Sequence, residues 1–299
     1  MRAVQFDETG GPEVLHVAEV EEPHAGPGQI RVAVRAAGIN PFDHKQRSGA
    51  AGNAKGPVTT GLDAAGVVDE VGDGVHGVSA GDEVFGSAKG GAAAEYAVLT
   101  HWARKPASMS FEEAAGLTTA VETAQRALDT VGLKPGDTVL VNGAAGGVGQ
   151  AAVQLARAEG ARLVIGTASE SNHEYLRSLG ATPTTYGEGL PARVRELAPD
   201  GVDLALDTAG RGVLPALVEI TGDPHKVVTI ASYDAAEYGV HLTTGGASRA
   251  WGALAHAAEL FERGELRLPV ERAFAFDEAA EAHRLSATGH VRGKLVLVP

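Results

Sequence analysis

Cysteine is absent from the 299 residues, which excludes thiolate chemistry, a disulfide framework and cysteine-ligated zinc. Basic residues are the minority, 25 Lys and Arg against 38 Asp and Glu, for a formal net charge of −13. That balance speaks against a nucleic-acid partner, and any anion site in such a chain must be local. No apolar run approaches membrane-spanning length, so no membrane partner is expected. Met1–Phe6 enters a strand-like pattern with no apolar signal core, and the cytoplasm is the expected compartment. A Gly-x-x-x-x-Gly-Lys-Ser/Thr pattern is lacking too, which disfavours phosphoryl transfer. Aromatics are scarce at 5%, whereas glycine is abundant at 40 residues and 44% of the chain is hydrophobic. This is an α/β composition with many tight turns and ample material for packed cores.

The chain is organised around Val139-Leu-Val-Asn-Gly-Ala-Ala-Gly-Gly-Val-Gly149. A short β-branched run from Thr138 to Val141 ends abruptly in glycines, and a helical pattern from Val148 to Glu159 follows. Gly160 closes that helix, Arg162–Gly166 makes a second strand, and Ser171–Leu179 makes a second helix ended by Gly180. A strand, a glycine turn holding Ala144, Gly146, Gly147, Val148 and Gly149, and a helix form the context in which such a turn binds a dinucleotide. The glycines admit the bend and the close approach of backbone N–H groups to a pyrophosphate at the helix N-terminus.

The end of the second strand selects the nucleotide. Folds that prefer NAD place an acid about 20 residues beyond the glycines to bind the ribose hydroxyls, and here Ala168 stands at that point. Thr167 and Ser169 offer hydroxyls to a 2′-phosphate, with His173, Arg177 and Tyr186 as further donors, while Glu170 opposes it by repulsion. NADPH is the expected cofactor.

Residues 1 to about 113 are strand-rich and turn-rich. Val14–Val20 and Ile30–Ala36 alternate apolar and polar residues, and repeated Gly-Asp turns predict a small closed barrel. A helix from Phe111 to Leu128 leads to the turn Lys134–Asp137. Strands at Val202–Leu206 and Lys226–Ile230 end at Asp207 and at Ala231, and both ends should face the cofactor. A helix over Ala247–Gly264, strand-like segments to Phe276, a helix to Ser286 and a last strand Lys294–Val298 complete the chain.

Together these segments resemble the zinc-independent quinone oxidoreductase branch of the medium-chain dehydrogenase/reductase superfamily, which also holds enoyl and double-bond reductases. The resemblance rests on Ala37-Gly-Ile-Asn-Pro-Phe-Asp43, Gly61-Leu-Asp-Ala-Ala-Gly66, Gly81-Asp-Glu-Val-Phe-Gly86, Ala94-Glu-Tyr96, the glycine turn, Leu179-Gly-Ala181 and Gly293-Lys-Leu-Val296. It implies an α/β fold with a GroES-like β-barrel catalytic domain (1–120 and 255–299) and a Rossmann NADP-binding domain with a doubly wound parallel sheet (121–254). A catalytic cleft is expected where the two meet. Gly61-Leu62-Asp63 stands where zinc-dependent relatives carry Gly-His-Glu, so no metal site is expected.

The resemblance places Asn40 near the nicotinamide and substrate and Thr123 at the nicotinamide end. Gly146–Gly149 match the pyrophosphate loop, and Ser169 and Tyr186 match 2′-phosphate contacts. Many relatives carry Lys where this chain has His173, so phosphate binding should be weaker and should depend on pH through the imidazole. Asp43 is expected to hold the Asn40 loop by local hydrogen bonds. A homodimer is compatible with such folds, with residues 226–230 and the following loop at its interface.

Without a metal, conjugated acceptors are favoured, because a quinone or enone spreads the charge that hydride brings. The expected activity is hydride transfer from NADPH to a quinone or another conjugated carbonyl. The alternatives are an enoyl thioester reductase and a non-catalytic NADPH-binding sensor or structural protein.

Overall fold

The computed structural model describes residues 1–52 and 56–299. They divide into two compact units: Met1–Thr119 with Leu254–Arg263 and Leu268–Pro299, and Ala120–Ala253 with Gly264–Arg267.

The first unit opens with β1 (Arg2–Phe6), β2 (His16–Glu19) and β3 (Ile30–Ile39), then α1 (Pro41–Ser48), β4 (Val58–Thr59), β5 (Asp63–Val71), β6 (Glu83–Lys89) and β7 (Tyr96–Arg104). β1 joins β2 and β4 in a small antiparallel sheet. β3 organises the larger sheet. Ile30, Val32 and Val34 are buried while Arg31 and Arg35 turn outward, the period-2 pattern of a strand with one wet face. β3 pairs antiparallel with β5, and its first residues also pair with β7, Ile30 opposite Leu99. Since β5, β6 and β7 are successive antiparallel neighbours, the four strands close on themselves. This closure, with register shifts in β3 and β6 that bend the strands, is the barrel the turn pattern predicts.

The helix α2 (Phe111–Val131) leads to β8 (Thr138–Asn142), α3 (Gly147–Ala158), β9 (Leu163–Thr167), α4 (His173–Ser178) and β10 (Thr182–Thr184). There follow α5 (Leu190–Leu197), β11 (Leu204–Asp207), α6 (Leu214–Thr221), β12 (Val227–Thr229) and β13 (His241–Leu242). The strands form one sheet in the order β10-β9-β8-β11-β12-β13, every neighbouring pair parallel. The order reverses direction at β8, which sets the switch point of a doubly wound sheet beside the end of that strand. β8 is buried on both faces, as its unbroken apolar run requires.

The chain ends with α7 (Gly252–Glu262), β14 (Val270–Ala275), α8 (Ala279–Ala287) and β15 (Lys294–Val298). β15 lies between β14 and β3, so the C-terminal strand extends the barrel sheet built by the N-terminal third. The helix expected from Ala247 begins instead at Gly252. The Ala250 N–H donates to Glu122 Oε1 at 3.1 Å, which holds this stretch outside the helical ladder. Among the described residues no helix is long and apolar enough to cross a membrane.

Candidate active site

The glycine turn lies where β8 ends and α3 begins. Gly143 has φ +80°, and a Cβ there would meet Ala209 Cβ and Thr208 Oγ1 at 2.8 Å. A Cβ on Gly149, in the first turn of α3, would run into the carbonyl oxygen of Gly143. At Gly143 and Gly149 the helix start is therefore folded too tightly over the strand end for a side chain. Gly146 is the N-cap and supplies no side chain, so the first amides of α3 lack intrahelical acceptors in a half-buried turn. Gln150 braces the turn from within: its Nε2 donates to Ala145 O at 2.6 Å, and its Oε1 accepts from Tyr175 OH at 2.7 Å. A bare, rigid backbone cradle with unpaired N–H groups fits a pyrophosphate.

Beneath the turn a polar chain crosses the carboxyl ends of four strands. Thr167 Oγ1 at the end of β9 donates to Asn142 Oδ1 at 2.7 Å and accepts from the Gly143 N–H at 3.1 Å. Asn142 Nδ2 donates to Asp207 Oδ1 at 2.9 Å, and Asp207 also accepts from the N–H groups of Ala209 and Gly210. Its other oxygen accepts from Thr229 Oγ1 at 2.7 Å and Ser232 Oγ at 2.9 Å. Thr167, expected to offer its hydroxyl to a phosphate, is fully buried and already engaged on both sides, so it supports the turn from below. Ala144 is likewise fully buried, its N–H given to Thr167 O at 3.0 Å. Ala231 is half-buried, with its N–H on Thr229 Oγ1.

Past the end of β9, Ala168 is buried and Ser169 half-buried. Ser169 Oγ accepts from Asn172 Nδ2 at 3.0 Å and lies 3.1 Å from Ser171 Oγ. His173 opens α4, and its Nε2 is buried without a hydrogen-bond partner among the described residues. Tyr186 is 56% exposed, and Glu170 is exposed. An orphaned imidazole nitrogen and a serine hydroxyl thus stand on the same connection from β9 into α4, each a group that can bind an anion.

In the barrel unit, Asn40 sits at the end of β3 as the N-cap of α1, and Pro41 follows at the first helical position. An N-cap Asn ordinarily turns its side chain to the helix amides. Here the side chain turns elsewhere. Asn40 Nδ2 donates to Asp63 Oδ2 at 2.9 Å, and Asn40 Oδ1 accepts from Lys294 Nζ at 2.5 Å. Asp43 takes over part of the capping: its Oδ2 accepts from the Asn40 N–H at 2.7 Å, the loop-holding part expected of it. Asp63 accepts further from the Thr119 N–H at 3.1 Å and Thr119 Oγ1 at 2.5 Å.

The strand order explains the convergence. β15 and β5 flank β3, with Leu295 opposite Ile39 and Asp63 opposite Gly38, so Lys294 and Asp63 arrive on either side of Asn40. All three are buried. Burial pushes the Asp63 carboxyl up and the Lys294 ammonium down, and each charge opposes the other's shift. Burial raises Asp43 to about 7, with its hydrogen bond from Asn40 pulling the other way. Lys294, Asp63 and Thr119 carried no assigned role in the sequence. The signal that could have found Lys294 is a charge at the head of the otherwise apolar strand Leu295–Val298.

Thr123 lies in the second unit, buried on α2. Its Oγ1 is 3.4 Å from Glu122 Oε2 and accepts from Arg126 Nη2 at 3.3 Å. Glu122 is fully buried, pairs with Arg126 at 2.8 Å and Arg249 at 3.0 Å, and accepts the Ala250 N–H. Burial would raise the Glu122 carboxyl, but Arg126, the Ala250 N–H and Arg249 outweigh it and hold Glu122 below the usual carboxylate range.

Residues 26–107 match the family described as alcohol dehydrogenase GroES-like domain, and residues 179–297 match the family described as zinc-binding dehydrogenase. The chain is 32% identical to a 2-methylene-furan-3-one reductase of Solanum lycopersicum, with 100% of this chain and 79% of that protein covered. It is also 32% identical to a quinone oxidoreductase of Pseudomonas aeruginosa, with coverages of 100% and 99%. Among solved structures, the Escherichia coli quinone oxidoreductase complexed with NADPH superposes with a TM-score of 0.87 at 26% identity, all of both chains covered. With both domains matched and a full-length relative above 30% identity, the chain belongs to the quinone oxidoreductase branch of the medium-chain dehydrogenase/reductase superfamily.

Proposed function

We propose that this chain, an NADPH-dependent oxidoreductase acting on a small carbonyl or quinone, reduces quinones and α,β-unsaturated carbonyls by direct hydride transfer without zinc. The carrying observation is the donor set around Asn40. The Asn40 side-chain amide is bound to Lys294 and to the Asp63 carboxyl, and the Asn40 backbone N–H to the Asp43 carboxyl. The chain has no cysteine, and among the described residues no three His, Asp or Glu side chains gather as a metal site. Zinc does not fit these residues. A simple ketone would become a strongly basic alkoxide on taking hydride, which calls for a Lewis acid. A conjugated acceptor takes hydride at carbon and spreads the charge as an enolate or phenolate, and a proton from solvent completes the reduction.

Bound NADPH supplies the hydride. The first amides of α3 and the Gly146–Gly149 backbone hold the pyrophosphate. Ser169, His173 and Tyr186 take the 2′-phosphate. Thr123 borders the nicotinamide, and Asn40 Nδ2 donates to the acceptor oxygen as charge grows on it.

The test follows reduced-nicotinamide absorbance with purified protein, NADPH and NADH in parallel, against an ortho-quinone, a simple enone and an enoyl thioester. Turnover of the quinone or enone with NADPH is expected. Faster reduction of the thioester, or NADPH binding with no turnover of any acceptor, would displace the proposal.

A further inference from the structure

The orientation of the Asn40 amide is fixed by chemistry. An ammonium has three donors and no acceptor, so the atom facing Lys294 must be the amide oxygen. The atom facing the carboxylate that also accepts from Thr119 must then be the amide nitrogen. Held at both ends, the amide can neither flip nor swing, and one of its two N–H hydrogens goes to Asp63. Among the described residues no acceptor takes the other.

The surroundings are shaped for this clamp. A Cβ on Gly116 of α2 would press on Lys294 Cγ and Cβ at 3.2 and 3.3 Å, so the absent side chain makes room for the lysine stem. A Cβ on Gly38 would collide with Ala115 O and approach Asp63 Cβ at 3.2 Å, so β3 passes against both α2 and Asp63 only as glycine. Burying a lysine and a carboxylate this deeply costs more solvation than an apolar cluster of the same volume, so stability alone does not explain the pair. A buried polar group fixed by others is the arrangement that preorganises a donor before the substrate arrives.

We infer that Lys294 and Asp63 are positioning residues for the reduction: they lock the Asn40 amide so that its remaining N–H is a preset donor to the carbonyl or quinone oxygen of the acceptor. This inference rests on the proposed function, in which Asn40 faces the acceptor. Neither positioning side chain needs to touch substrate or NADPH.

The experiment is a double-mutant cycle between Lys294→Met and Asn40→Ala, with kcat and KM for an ortho-quinone read beside NADPH affinity from tryptophan fluorescence. Lys294→Met should lower kcat roughly 10- to 100-fold, the range for loss of an oriented donor. Its NADPH dissociation constant should stay within about 3-fold of wild type, since a positioning effect on the acceptor lies outside nucleotide binding. The double variant should be no slower than Asn40→Ala alone, because residues acting through one another are not additive. Asp63→Asn in the same cycle serves if the methionine variant does not fold.

Wild-type kcat in Lys294→Met, or losses that multiply in the double variant, would overturn the inference while leaving the proposed function standing. Asn40→Ala at wild-type speed, or wild-type protein that reduces no conjugated acceptor, would instead overturn the functional reading beneath it.

Discussion

Asn142 and Asp207 stand opposite each other at the carboxyl ends of the parallel neighbours β8 and β11, joined by a hydrogen bond of 2.9 Å from Asn142 Nδ2 to Asp207 Oδ1. Through that bond the support of the glycine turn, Thr167 and Asn142, is continuous with the ends of β11 and β12. The strand ends that should face the cofactor are thus tied into one rigid edge.

Asp207→Ala should be strongly destabilising. It leaves Asn142, Ala209, Gly210, Thr229 and Ser232 without their acceptor in a buried setting. A loss of roughly 3–5 kcal/mol in urea unfolding is expected for breaking such a network. Asp207→Asn should cost less, about 1–2 kcal/mol, because its one carbonyl oxygen still accepts and the Ser232 hydroxyl can rotate to meet an NH2, whereas Thr229 Oγ1, already accepting from the Ala231 and Ser232 N–H groups, loses its acceptor. NADPH affinity should fall in both variants, since the turn loses its floor. Equal, near-zero losses in the two would show that the edge is not held this way.

Nucleotide choice should turn on the segment after β9. Ser169→Asp puts a carboxylate where a 2′-phosphate is proposed to sit and should weaken NADPH binding at least about 10-fold with little effect on NADH, by like-charge repulsion in a half-buried setting. His173→Lys should strengthen NADPH binding by roughly 3- to 10-fold at low salt, and the gain should shrink as salt is added. Parallel titrations with the two nucleotides decide the matter. Equal changes for NADPH and NADH would place the 2′-phosphate elsewhere.

Much of this architecture could be read from the chain. The apolar run Thr138–Val141 and the glycines behind it are local signals, and strand, turn and helix appear within a residue or two of the expected limits. The clamp on Asn40 was out of reach for a physical reason. Lys294 meets Asn40 across 254 positions of sequence, through a β15–β3 pairing that no local pattern encodes. Thr167 misled because a hydroxyl at a strand end reads alike whether it faces solvent or a buried Asn142. Glu122 escaped because a helix Glu is ordinarily solvated, while this one lies between Arg126 and Arg249.

Two buried groups in the barrel unit should give opposite pH dependences that nearly cancel. Asp43 is raised from 3.8 to about 7, first by burial and then by the nearby Asp63, against the Asn40 hydrogen bond and Lys294. The folded chain therefore holds a proton the unfolded chain has lost, and stability falls as pH rises from about 4 to 7, by roughly 2–4 kcal/mol at most. His283 is lowered from 6.5 to about 4, mainly by burial and further by Arg47 and His44. Here the unfolded chain holds the extra proton, so stability rises as pH climbs from about 4 to 6.5, by a similar roughly 2–3 kcal/mol. Asp43→Asn keeps an acceptor for the Asn40 N–H but cannot titrate, so relative to wild type its stability should climb with pH across this window. His283→Gln should fall relative to wild type across the same window, and the double variant should recover the wild-type slope. Urea unfolding at half-unit pH steps from 4 to 7.5 measures all four curves. If Asp43→Asn runs parallel to wild type, Asp43 already ionises in the fold as it does in the unfolded chain, and burial is not what governs its charge.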